Sequence, residues 1–136
     1  KLVMNSEKSV LKMKKKIEKL RNHGTMTESG FWGMIRSALR QKSRWWKPIT
    51  ECKQKSKRAY TGNNKRQKFE YKCNVCKNWF PDKEIAVDHI KPVGTLKSAQ
   101  DLPKFVENLF CEIDNLQTIC ASCHLIKTKK DKITHE

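Results

Sequence analysis

Apolar positions along this chain follow two regimes. Helical spacing holds over the first sixty residues, and short runs set between cysteines follow. Val3, Val10 and Ile17 recur every seventh residue, with Met13 and Leu20 three beyond the last two, which predicts one amphipathic helix over residues 1–22. Asn22-His23-Gly24 reads as its stop. Thr25 and Glu28 have capping-box spacing, and Phe31, Met34, Ile35, Ala38 and Leu39 keep helical period behind them, so a second helix is expected from about Met26 to Lys42. Pro48 suits the first turn of a third helix running to about Ala59. Trp32, Trp45 and Trp46 are the largest apolar resource of this helical unit and are read as its core.

The polar loop Tyr60–Gln67 ends that regime. Beyond it, Trp79-Phe80-Pro81-Asp82 reads as a knuckle turn, and Ile85–Val87 as a short strand entering Asp88-His89. Leu102, Phe105, Val106, Leu109 and Phe110 have helical spacing around Pro103, Leu116–Ile119 is a second short strand, and Cys123 to about Asp131 is helical again. The pattern predicts an α+β chain in three parts: a basic amphipathic arm (1–24), a basic helical region (25–68) and a compact cysteine-bearing domain (69–136).

Charge narrows the class of partner. The 136-residue chain carries a formal net charge of +16, the signature of a polyanionic partner, and nucleic acid is the commonest one. The excess is uneven. Residues 41–72 hold eleven basic side chains against Glu51 and Glu70, whereas residues 73–136 hold nine Lys and nine Asp or Glu. Long-range attraction to phosphate therefore comes from the N-terminal half, with Arg44, Lys65, Arg66 and Lys68 as candidate contacts. No run approaches the roughly 18 apolar residues of a membrane span, so no membrane partner is expected. With no export segment evident, a reducing, cytoplasmic setting is expected.

Cysteine spacing supplies the candidate chemistry. Cys73-x-x-Cys76 and Cys120-x-x-Cys123 are two knuckles whose four thiolates suit a closed, structural zinc site. Two redox dithiols are the weaker account. Cys111, in the apolar run Leu109-Phe110-Cys111, reads as a buried thiol. The long gap between the knuckles requires a folded insertion, and it contains Asp88, His89 and Asn115. A hydrolytic phosphodiesterase centre needs a hard cation on few protein ligands and a base that titrates near neutral pH. Asp88 and His124 could supply the ligands and His89 the base, while the Asn115 amide could fix a loop carbonyl or orient His89. Neighbouring strand residues face opposite ways, so a sharp turn at Asp88-His89 is expected if both serve one site.

Taken together, Cys73-x-x-Cys76, Val87-Asp88-His89-Ile90, Asn115-Leu116-Gln117 and Cys120-x-x-Cys123-His124-x-x-Lys127 closely resemble the HNH endonuclease family, over Tyr71 to about Lys130. The resemblance implies a ββα-metal fold, with a two-stranded hairpin carrying His89 and a helix carrying His124. It implies Asp88 and His124 as ligands of a catalytic Mg²⁺ or Mn²⁺ beside the structural Zn²⁺. It also implies His89 as general base, Asn115 holding the hairpin loop, and Lys127 meeting phosphate. Ser37–Arg40 through Lys65–Lys68 is similar to the front part of phage-encoded members, which implies a phage origin, host-cell cytoplasm, and a second copy or a DNA-packaging assembly as a further partner. The alternative is a zinc-ribbon DNA-binding module without catalysis.

Overall fold

The computed structural model describes residues 16–134. Most of the predicted helix over 1–22 lies outside them. Residues 16–20 carry no regular structure, and Arg21 bridges to Met26 around a turn in which Asn22, His23 and Gly24 all take positive φ. Of the predicted apolar stripe, the described residues Ile17 and Leu20 are exposed, and packing is what stabilises a short amphipathic helix.

Helix α1 (Glu28–Ser43) matches the predicted second helix, with a different cap. Thr27 is the N-cap: its side chain accepts from the Gly30 amide at 3.0 Å, while Thr25 donates to the Asn22 carbonyl. Glu28 instead accepts from Arg21 and from the Trp32 indole. Helix α2 (Lys47–Lys55) has Pro48 in its first turn as expected, but it stops short of Ala59. Lys57–Ala59 forms strand β1, antiparallel to β2 (Phe69–Lys72), which pairs in turn with β3 (Trp79–Phe80). Cross-strand contacts decide the matter: the Lys57 ammonium lies 3.8 Å from the Phe69 ring centre, and Arg58 both stacks on Trp79 and pairs with Glu70. Sheet pairing overrides helical propensity over these three residues.

The second sheet is the two-stranded antiparallel pair β4 (Ile85–His89) and β5 (Leu116–Cys120). Their connection holds helix α3 (Leu102–Leu109), and helix α4 (Ala121–Thr134) follows β5 directly. Every residue of β5 is buried. Two cores result. Trp32 of α1 packs with Val93, Leu96, Phe105 and Leu109 of the insertion; Tyr71, Cys73, Ile85, Ile119 and Cys120 pack under the knuckles. Of the three tryptophans read as core, Trp32 is buried, and Trp46 is half-buried with its indole donating to the Cys111 carbonyl at 2.7 Å. Trp45 is 83% exposed. The turn after α1 points its ring outward, so the core reading fails for that residue.

Candidate active site and metal centre

The first knuckle is a tight turn. The Cys73 amide donates to the Asn78 carbonyl and the Lys77 amide to the Cys73 carbonyl, with Lys77 at φ 65° closing the loop. Pairing of β4 with β5 brings the second knuckle, at the start of α4, against it. The ligand sulfurs of Cys73, Cys76, Cys120 and Cys123 then lie within 4.8 Å of one another. The Cys76 and Cys120 sulfurs are 3.9 Å apart. Zinc–sulfur bonds of about 2.3 Å place tetrahedral sulfurs roughly 3.8 Å apart, so the cluster fits a closed zinc site. Proton affinities point the same way. Burial opposes ionisation of Cys73, but the backbone amides of Cys76, Cys120 and Val75 outweigh it and draw its pKa down to about 6. Hydrogen bonding to Cys120, together with burial, pushes Cys123 up to about 12. One divalent cation would resolve that competition by taking all four as thiolates.

Thirteen residues before the start of α3, β4 ends on Asp88 and His89. No sharp turn separates them: their pairing with Gln117 and Leu116 continues through His89. Both nonetheless line one cleft, at a strand whose only sheet partner among the described residues is β5. Asp88, His89 and His124 all line a cleft of about 790 Å³ there. A second concavity shares Arg40, Asp88 and His89 with it, so a continuous groove crosses the strand edge.

Each site residue is held by a different element. The His89 ring nitrogen Nε2 lies 2.9 Å from the Leu109 carbonyl oxygen. A carbonyl only accepts, so Nε2 carries the hydrogen, and in the neutral ring Nδ1 is left as an acceptor. Leu109 is the last residue of α3, where carbonyls lack helical partners; the insertion helix thus spends a spare carbonyl on orienting His89. Asn115 locks the loop after β4. Its Oδ1 accepts from the Lys91 amide at 2.9 Å, and its backbone carbonyl accepts from the Ile90 amide. His124, one residue past Cys123 on α4, holds Nε2 3.7 Å from Asp88 Oδ1. Two atoms at that separation can both touch one small cation with bonds near 2.1 Å, and oxygen and imidazole donors suit Mg²⁺ or Mn²⁺.

Lys127 sits lower on α4 and is not directed at the groove alone. Its ammonium lies 3.3 Å from Asp88 Oδ2, 3.0 Å from Asp131 and 3.1 Å from the His89 carbonyl. Burial works against its charge, but Asp131 and Asp88 prevail and raise its pKa. Of the other predicted basic contacts, Arg44 lines the cleft. Arg66 and Lys68 border a separate concavity with Phe69 and Tyr71, and Lys65 lies in the same loop. The cleft wall also contains Arg40 and Lys53, the latter paired with Asp82 at 2.5 Å, and the far end of the groove contains Lys97 and Lys132. Spacing singles out none of these four, and although Gln117 lies in the quoted Asn115-Leu116-Gln117 run, spacing gives it no role; it donates to Asp88 Oδ2. No helix among the described residues is long and apolar enough to cross a membrane.

No curated protein and no solved structure matches this chain. A protein-family model does match residues 73–130, and its description is HNH endonuclease. Its span opens on the first knuckle and closes on α4, taking in β4, β5, Asp88, His89, Asn115 and His124. Over residues 73–130 the chain therefore matches the HNH endonuclease family, which points to nuclease or DNA-binding function, and that span contains a four-cysteine cluster able to hold a metal.

Proposed function

We propose that this chain is a divalent-metal-dependent DNA endonuclease that hydrolyses a phosphodiester in the groove along β4. The observation that carries the reading is the convergence of Asp88, His89 and His124 on one cleft, with His89 held so that Nδ1 is the unprotonated nitrogen. In the reaction His89 takes a proton from water through Nδ1, and the water oxygen attacks phosphorus as the bond to the 3′ oxygen breaks. Leu109 and Asn115 keep the imidazole and its loop in place for that transfer. Asp88 and His124 would hold Mg²⁺ or Mn²⁺, which supplies Lewis-acid stabilisation of the departing 3′ oxygen. The departing 3′ oxygen takes a proton from solvent, and the products are 5′-phosphate and 3′-hydroxyl ends. Cys73, Cys76, Cys120 and Cys123 would hold zinc as scaffold, with Cys123 anchoring the helix turn that carries His124.

The groove has cations at both ends: Arg40, Arg44 and Lys53 on the α1–α2 side, Lys97 and Lys132 on the other. That distribution supports a strand of DNA lying across Asp88 and His89 with its phosphates flanked. Residues 69–136 would then cut, residues 25–68 would do most of the holding, and residues 1–24 would add charge. Nicking of supercoiled plasmid tests the assignment. The native chain is expected to relax it with Mg²⁺ and not with EDTA, and His89→Ala to leave it supercoiled. Equal cutting by both proteins removes His89 from the chemistry. Binding without cutting under any divalent ion favours a zinc-ribbon module without catalysis.

A further inference from the structure

Asp88 has two oxygens in different surroundings. Oδ1 faces His124 at 3.7 Å, whereas Oδ2 is 3.2 Å from the Gln117 amide nitrogen and 3.3 Å from the Lys127 ammonium. Gln117 is directly opposite Asp88 in the β4–β5 register, so the two side chains share a face of the sheet. Its own orientation is fixed as well. Asn74, between the two cysteines of the first knuckle, donates from Nδ2 to Gln117 Oε1 at 2.9 Å, which leaves the Gln117 NH₂ aimed at Asp88. Lys77 donates to Asn74 Oδ1 at 3.3 Å, completing a chain of donors from the knuckle to the carboxylate. Gln117 is 8% exposed, and a buried amide with both ends satisfied does not rotate freely.

We propose that Gln117, held by Asn74 of the first knuckle, is a positioning residue that fixes which oxygen of Asp88 is presented to His124 and to a cation bound there. The proposal rests on the nuclease reading above. With both donors on Oδ2, that oxygen is occupied and rotation of the carboxylate is blocked, so Oδ1 is pre-aimed. Without Gln117 the carboxylate swings between Lys127 alone and His124, and cation binding has to overcome that freedom. Partners of metal-binding carboxylates typically change metal affinity by about 10- to 100-fold when removed. The knuckle thereby does more than fold the domain: it orients a ligand on a neighbouring strand.

Mn²⁺ titration by calorimetry on zinc-loaded protein tests this, with binding retained by Asp88→Ala subtracted. Gln117→Met keeps the length and removes the donor; it is expected to weaken Mn²⁺ binding about tenfold, with one equivalent of zinc retained. Asn74→Ala, at an exposed position, is expected to move the affinity in the same direction by less. Cleavage by both variants should need more Mg²⁺ for half-maximal rate and recover at saturating Mg²⁺, a split that loss of folding does not produce. Native Mn²⁺ affinity in folded Gln117→Met overturns the proposal while leaving the nuclease reading intact. If Gln117→Met does not fold, Asn74→Ala decides, and native affinity in it is then the overturning result. A native chain that shows no Asp88-dependent Mn²⁺ binding brings down both readings.

Discussion

Trp45 and Trp46 are adjacent in the chain and opposite in environment. Trp46 gives its indole hydrogen to the Cys111 carbonyl and stacks edge-on against Phe110, tying α2 to the segment before β5. Trp45 touches solvent. A Trp46→Phe change keeps most of the packing and loses the hydrogen bond, so it should destabilise by about 1 kcal/mol in urea unfolding. Trp45→Phe should shift the midpoint by nothing measurable. At this scale the residues that meet in the candidate site were legible by kind and spacing: four cysteines that cluster, and an Asp-His pair and a Cys-His pair that reach one cleft. Which groups hold them was not. The Leu109 carbonyl that orients His89 is backbone, invisible to any motif, and the Gln117–Asp88 contact depends on a strand register that no local pattern records.

Elements were legible where local signals and packing agree. Helices α1 and α3, strand β5 and helix α4 fall close to their predicted spans because apolar period, Pro positions and cores coincide. They diverged where a distant partner decides, as at β1, which pairs with β2 across a loop. The start of α1 carries a pH dependence. Hydrogen bonds from Arg21, then from Trp32, hold the Glu28 carboxyl at about 2 against an ordinary value of 4.5. A depressed folded-state pKa gives stability that is complete above about 4.5 and is lost as pH falls toward 2. Melting temperature should drop over that window, and less steeply in Glu28→Gln. The knuckles carry a larger share of stability. Cys120 is buried among the other three ligands, so Cys120→Ser should lower the melting temperature by at least roughly 10–15 °C, the equivalent of about 3 kcal/mol in a chain this size. A serine variant that melts like the native protein would refute the scaffold role of that cluster.

For the molecule as a whole, charge and chemistry are divided. The region from Cys73 onward is neutral by count and contains Asp88, His89 and His124, while the basic excess lies before it. Folding brings the two together: α1 packs on the insertion helix, and Arg40, Arg44 and Lys53 face the groove that β4 opens. The charge partition was legible from the chain alone. That α1 and α2 wall the cleft was not, because it depends on Trp32 packing against Phe105 and Leu109, contacts far apart in sequence. The proposed function separates cutting from holding, and one paired measurement tests that separation: DNA affinity in EDTA and single-turnover cleavage rate in Mg²⁺, for the native chain, His89→Ala and Arg44→Ala. His89→Ala should lose about 10²- to 10⁴-fold in rate with affinity unchanged. Arg44→Ala should bind more weakly, with the salt dependence of affinity reduced by about one phosphate contact. Cleavage by His89→Ala at the native rate would contradict the account.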